Sequence, residues 1–527
     1  MASNELAAPH SGKNDKIDQP PANGQTILHP DRIAKNTSYL TLALIAQKVL
    51  SLGYFIAISR AVGPENIGSY LSALAITTVL GFFIDLNFSQ ALIRETAKRP
   101  EKTNDYLNAA LAIKLMLAIG AYAVAQVYVR VFHLPDFVQS LVVLTGLVMV
   151  LDSITLSLYS VFRGHQLLKF EAVGTIINKL IVISVGLVGV LALGLGVHLL
   201  VVAILIGSIF NVFYASVFVV RRFSWRPRFA GIAADLRYLG RVVLPWFALA
   251  GVFVTIYGYI DQVLLSNPLL AGDRGTSYVS WYGTAFKLTF SFQFLPAAVI
   301  AAVFPAMSAY FISDRQKLTK TFERAMKYLC ILAVPLALGI FTLADKIIIA
   351  AYTRAYQASI VPLQILIVSL LFVFLNYPVG YLLNAADRQR RNSIHIGIAM
   401  VLNIGLNLLL IPQFTFIGAA VASTASSAVL FLLGIVVARQ IVPFRVWSLL
   451  MTLFKTIIAA GTMAVALWLL KDRFSVLPLI GSAVIWYFGI LFLLRGFSMS
   501  DGMSIYRAVM RKVSHTEHDG PRPVSHS

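Results

Sequence analysis

The sequence predicts an all-α polytopic membrane protein of about fourteen transmembrane helices. Three observations predict it. Of the 527 residues, 58% are hydrophobic and only 13% are charged, whereas soluble domains carry about 25% charged residues. Apolar runs of roughly 20 residues, the length a helix needs to cross a hydrocarbon core of about 30 Å, recur along the chain. Lysine and arginine crowd into alternate connections between those runs, as in a chain threaded back and forth through a bilayer.

Residues 1–36 are polar, contain Pro20, Pro21 and Gly24, lack an apolar run, and read as a disordered tail. They are not a secretory signal, because the first apolar stretch is full length and no small-residue cleavage site follows it. Spans are then expected at 37–58, 68–92, 107–129, 138–162, 172–193, 198–220, 242–265, 279–310, 328–344, 359–384, 393–411, 416–438, 447–470 and 475–495. Gly194–Gly196 separates two adjoining apolar runs. A basic linker covers 221–241, and 496–527 form a second tail. The single cysteine, Cys330, excludes an intramolecular disulfide framework and reads as a small apolar residue near the start of a helix.

With the N-terminus inside, the outside connections hold seven basic residues: Arg60, Arg130, Arg274, Lys346, Arg354, Lys471 and Arg473. Five more (Lys48, Lys114, Lys179, Lys287 and Lys455) fall within spans, which leaves 31 of the 43 inside. That bias predicts cytoplasmic termini, and the cytoplasmic membrane is the expected location of the chain. The net charge of +20 is therefore orientation signal facing anionic membrane lipid, and nucleic acid is not an expected partner.

Seven ionisable side chains interrupt otherwise apolar spans: Lys48, Asp85, Lys114, Asp152, Lys179, Asp261 and Lys287. A charge at bilayer depth costs about 2.5–3.5 kcal/mol on insertion scales, so it persists mainly where it faces protein or a hydrated cavity. Four lysines and three aspartates together point to a polar cavity inside a helical bundle, hence to a transporter. A weak internal repeat adds to this. Gly68-Ser69-Tyr70 opens the second span much as Ser280-Trp281-Tyr282-Gly283 opens the eighth, and Tyr159…Phe162-Arg163-Gly164 ends the fourth as Tyr381…Asn384-Ala385-Ala386 ends the tenth. Repeats that enter the membrane in the same direction predict two lobes, 37–220 and 242–438, with substrate between them.

Gly63-Pro64-Glu65-Asn66-Ile67-Gly68-Ser69-Tyr70 resembles the GPxxxGxY turn of the polysaccharide-exporter branch of the MOP flippase superfamily. Asp85-Leu86-Asn87-Phe88-Ser89-Gln90-Ala91-Leu92-Ile93-Arg94-Glu95 is similar to that family's DLGLxxALxRE helix end. Tyr259-Ile260-Asp261-Gln262-Val263-Leu264-Leu265 and Asn407…Pro412…Gly418-Ala419-Ala420 continue the likeness in order. Asn87 stands where the family has glycine, Asp152 lies outside these matching motifs, and Phe414-Thr415-Phe416 replaces a short turn. The resemblance implies two six-helix lobes plus an extra helix pair at 447–495. It also implies flipping of a polyprenyl-pyrophosphate-linked oligosaccharide to the outer leaflet by alternating access, coupled to an ion gradient (H⁺ or Na⁺). Polysaccharide polymerase and glycosyltransferases are the partner enzymes it suggests.

Pyrophosphate crossing hydrocarbon needs compensating charge, and Lys48, Lys114, Lys179 and Lys287 are the expected substrate-binding groups. Snorkelling is the alternative, strongest for Lys114 and Lys179. Asp85, Asp152 and Asp261 are expected as gate or ion-coupling carboxylates, with Asp261 and Lys287 as an outer gate pair. Either they pair with these lysines and hold one conformation, or one binds and releases a proton or Na⁺. Asn178, Asn376, Asn384, Asn403 and Asn407 either contact sugar or join helices. The in-span prolines Pro245, Pro296, Pro335 and Pro378 mark kinks or bending points. Two rival functions are a cation antiporter of the same superfamily and a membrane-embedded polyprenol-sugar glycosyltransferase or polymerase. An enzyme is not expected: the chain has no HExxH, GxSxG or GxxxxGK[ST] motif. Its longest outside connections, 266–278 and 345–358, are too short for an ordered catalytic domain. Neither a cofactor nor a metal is expected beyond the coupling ion.

Overall fold

The computed structural model describes residues 47–194, 196–228, 237–238 and 247–496. Both tails, the start of the first expected span, Pro245 and most of the basic linker lie outside the described residues. Every regular element among the described residues is helical. Helix α1 (47–62) meets α2 (Pro64–Asp85) at Gly63, whose φ of 85° suits glycine. Pro64 opens α2, where a missing N–H costs nothing. α2 ends because Leu86 and Asn87 take φ of 39° and 61°. Asparagine is one of the few L residues that enter this left-handed region readily, so it can stand in for the family's glycine.

Next come α3 (Phe88–Lys98), α4 (Thr103–Val131), α5 (Asp136–Gly164), α6 (Leu168–Leu187) and α7 (Val197–Phe223). A π-helical turn over Val188–Ala192 and Gly194 at φ 60° make the expected break. The second half holds α8 (Phe247–Leu265), α9 (Gly275–Ser291), α10 (Phe294–Ser313), α11 (Arg315–Thr342), α12 (Ala344–Tyr352), α13 (Ile360–Ala385) and α14 (Gln389–Ile441). α15 (Val446–Leu470) and α16 (Val476–Leu493) complete the described chain.

The single span expected at 279–310 is instead two helices. They part at Phe292–Gln293, with Pro296 in the first turn of α10, where proline is tolerated. α11 begins thirteen residues earlier than the expected span, at Arg315, so Cys330 lies mid-helix rather than near a start. Asp314 caps α11, accepting the Gln316 and Lys317 backbone N–H groups at 3.0 Å each. The Lys317 N–H bond leads in holding the Asp314 carboxyl below its usual range.

Eleven helices among the described residues are long and apolar enough to cross a membrane, so this measure does not reach the expected fourteen. The difference has local causes. α14 is 53 residues, about 80 Å at 1.5 Å per residue, and contains a break at Thr415 (φ 52°). Gly418 sits against the Leu410 backbone, a contact that no straight helix permits eight residues apart, so the chain turns sharply there. The apolar stretch Gly251–Leu265 is short, and α1 is described only from residue 47.

α2 packs on α4 and α5, α5 on α4 and α7, and α6 on α7. In the second half α13 packs on α9, α11 and α14, while α8 packs along α14. α15 lies on α11 and carries α16 with it. Tyr487 donates to the Ile331 carbonyl at 2.9 Å, and Cys330 meets the Thr456 hydroxyl at 3.6 Å.

The two halves meet through α2, which packs on both α8 and α9. At the Gly63 end the contact is close: a Cβ on Gly68 would lie 1.7 Å from the Thr276 carbonyl oxygen. Arg60 donates to the Ala350 carbonyl at 3.0 Å, and Tyr356 donates to the Ser59 carbonyl at 3.0 Å. At the Asn87 end, Gly251 of α8 lies under the Phe82 ring and beside the Asn87 amide.

Candidate functional site

Between these contacts lies a cavity of about 350 Å³. α1 lines it with Gln47, Ser51, Tyr54, Phe55 and Ile58, a set spaced by one helical face. α6 contributes Thr175, Asn178, Lys179 and Val182, again at i, i+3, i+4 and i+7. Tyr70 of α2, Asp152 of α5, and Ile204 and Ser208 of α7 complete the N-terminal side. One lining residue, Lys287 of α9, comes from the second half. The cavity is thus a pocket of the N-terminal helices, closed by a cation from across the midline.

Both lysines rest on aromatic faces. The Lys287 ammonium lies 3.8 Å from the Phe55 ring centroid and the Lys179 ammonium 5.6 Å from that of Tyr54. Asp152 accepts from the Ser208 hydroxyl at 2.6 Å and is open to the cavity. Asn178 is packed against Gly207, where only a hydrogen leaves room for its amide oxygen. The wall therefore has fixed cations, a carboxylate, amides and hydroxyls within one enclosure. Such a set can hold an anion together with a polyhydroxylated group.

The structure divides the expected site residues. Lys179, Lys287 and Asp152 meet at the cavity. Lys114 does not reach it: 1% exposed, it pairs with Asp85 at 2.5 Å and also donates to the Ser89 hydroxyl and the Ser153 carbonyl. Ser89 in turn donates to Asp85 at 2.5 Å, so Asp85 and Lys114 form an internal pair, as the lysine-pairing alternative expects, away from the cavity lining. Lys48 is exposed and outside the lining. It follows Gln47 by about 100° around α1, so depth in the span was right for the cavity while azimuth was not. Lys455 donates to the Arg495 carbonyl at 3.4 Å, near a helix end.

The expected Asp261–Lys287 gate pair is absent among the described ion pairs. Lys287 faces the cavity, whereas Asp261 is 2% exposed within the second half. There Tyr282 donates to one carboxylate oxygen and the Asn407 amide to the other, at 2.6 Å. Asn407 also donates to the Asn403 carbonyl at 2.8 Å. Tyr257 reaches Ser427 at 2.9 Å on the adjoining face. No group of three or more His, Cys, Asp or Glu side chains suited to a metal occurs among the described residues.

Sequence reasoning missed the neutral lining. Gln47, Ser51 and Tyr54 on α1, and Thr175 beside the expected Asn178 on α6, are polar residues on one helical face of an apolar span. That periodicity was the available signal.

Residues 33–311, just over half of the chain, match the family described as "Polysaccharide biosynthesis protein". The chain is 30% identical over 226 residues to "Probable flippase AglR" of Haloferax volcanii, covering 40% of this chain and 46% of that one. The match therefore spans about half the length of that relative. It is 22% identical over 375 residues to "Probable low-salt glycan biosynthesis flippase Agl15" of the same organism, covering 70% and 76%. Among solved structures, "Lipid II flippase MurJ, inward closed conformation" superposes with a TM-score of 0.67 at 15% identity, over 88% of this chain and 98% of that one. At that identity the likeness is one of fold.

Proposed function

Because the chain belongs to the polysaccharide biosynthesis protein family, we propose that it flips a polyprenyl-pyrophosphate-linked oligosaccharide across the cytoplasmic membrane for surface polysaccharide export. The observation that carries the reading is the cavity that joins Lys179 of one half to Lys287 of the other. A pyrophosphate bound there would draw both lysines off their aromatic rests and tie the two lobes through one ligand. Low dielectric around the site strengthens that attraction relative to water. A cation antiporter would need the opposite balance, and the two lysines disfavour it.

With both termini cytoplasmic, the Gly63 end faces out. Release to the outer leaflet then requires the Arg60–Ala350 and Tyr356–Ser59 hydrogen bonds and the Gly68–Thr276 contact to part. The lobes 37–220 and 242–438 would rock about α2, with the 447–495 pair carried on the second lobe. Asp261 is the carboxylate we assign to ion coupling. In its cage the Asn407 amide oxygen is buried without a partner among the described residues. Carboxylate and amide oxygens together suit a hard cation such as Na⁺, and the carboxylate alone suits a proton.

The test is reconstitution. Liposomes containing the protein and a fluorescent polyprenyl-pyrophosphate oligosaccharide should move the lipid faster than protein-free liposomes, and the Lys179→Ala/Lys287→Ala variant should not. Wild-type rates equal to those of protein-free liposomes, across a panel of such lipids, would overturn the reading.

A further inference from the structure

Asp152 is the cavity group that anion binding leaves without a task. A carboxylate beside two phosphate-binding lysines repels the phosphate, and holding it at bilayer depth is costly. Yet it makes no ion pair within 4.0 Å among the described residues, although Lys179 and Lys287 line the same cavity. Its one described partner is Ser208, which occupies a single oxygen. An ionised carboxylate offers about four acceptor positions, so most of its capacity faces the cavity.

Its surroundings are built for neutral donors and acceptors. Ser208 on α7 holds the carboxylate in place, and the neighbouring Gly207 lets the Asn178 amide lie against the same helix. Thr175 is one turn before Asn178 on α6. Carboxylate, amide and hydroxyls thus share one wall, while the ammonium groups rest on the Tyr54 and Phe55 rings. The enclosure has two chemistries, and a ligand that satisfies both carries an anionic group next to a donor-rich one.

We propose that Asp152, with Asn178, forms a sugar subsite that accepts hydrogen bonds from hydroxyl or amide N–H groups of the sugar attached to the pyrophosphate, and so determines glycan specificity. This rests on the flippase reading above. Lys179 and Lys287 grip the part that all such lipids share, and Asp152 tests the part that differs between them. Once a ligand fills the cavity and excludes water, such an acceptor discriminates strongly, because a ligand that lacks the matching donor leaves it unpaired.

The experiment compares binding of two probes to the full chain in nanodiscs: polyprenyl pyrophosphate, and the same lipid bearing one hexose. Wild type should prefer the hexose-bearing probe. Asp152→Asn should weaken that probe by about tenfold or more, the scale of a lost charge-assisted hydrogen bond, while leaving the bare lipid unchanged. Asn178→Ala should cut the same preference, which guards against a folding defect peculiar to one variant. Equal weakening of both probes, or no change in either, would overturn the subsite. So would a variant altered only in its H⁺ or Na⁺ dependence, which would make Asp152 a coupling group. A wild type that binds both probes equally refutes the subsite alone; one that binds neither removes the flippase reading as well.

Discussion

The two halves of the protein each place an aspartate within a membrane span, and they treat it in opposite ways. Asp152 in the N-terminal half has one described hydroxyl partner and opens onto the cavity. Asp261 in the C-terminal half is 2% exposed and takes hydrogen bonds from Tyr282 and Asn407. An open carboxylate can meet a ligand. An enclosed one has its charge solvated by protein dipoles and can exchange only something as small as an ion. Asp85 is a third solution, neutralised directly by Lys114. The same residue type therefore meets three different surroundings in one bundle, and only the neighbours distinguish them.

The largest effect should come from the neutralised pair. Lys114→Ala leaves the Asp85 carboxylate buried without its cation, which costs about 3–5 kcal/mol for a desolvated pair. Thermal unfolding of the detergent-purified protein should show a marked drop, and Lys114→Leu with Asp85→Leu should recover much of it. A single variant that melts like wild type would mean water reaches Asp85, and the three-way contrast would shrink to two.

This pair also shows where the sequence stops being readable. Apolar runs, Gly63-Pro64 and the charge bias were legible because they are local, and they led to a helical membrane protein of this family. Lys179 and Lys287 were legible as candidates because a cation within a span is rare. Lys114 met the same criterion, but its partner lies 29 residues away on another helix, and no local pattern records that. Nor does any record Tyr282 and Asn407 closing around Asp261. The break at Thr415 was hidden for a related reason: Phe414-Thr415-Phe416 keeps an apolar character through a turn that depends on Gly418 meeting Leu410.

A middle-sized effect should sharpen the open-versus-enclosed contrast. Asp261→Asn keeps the shape but turns one acceptor into a donor facing Tyr282 or Asn407, at a cost of about 1–3 kcal/mol for an unsatisfied buried group. Binding of the glycan lipid should persist, since Asp261 does not line the cavity, while any dependence of flipping on H⁺ or Na⁺ should vanish. Retained ion dependence would move coupling to the N-terminal half. Loss of lipid binding would mean that the enclosure and the cavity are one site.

The smallest expected effect belongs to Lys48, and it tests whether facing the cavity matters more than depth in the span. Lys48 adjoins the lining residue Gln47 in sequence but lies outside the lining. An exposed lysine that makes no described ion pair contributes little to stability, so Lys48→Ala should stay within about 0.5 kcal/mol of wild type. Flipping should be unchanged, whereas Lys179→Ala, on the cavity face of α6, should be strongly impaired. Assaying the two variants side by side in the same liposomes isolates the facing, because both remove one lysine from a span of the N-terminal half. If Lys48→Ala were as impaired as Lys179→Ala, α1 would have to rotate during transport and bring that face inward. A cysteine at position 48 would then react with a soluble reagent only while substrate is being moved, and a cysteine at 51 would lose reactivity in the same interval.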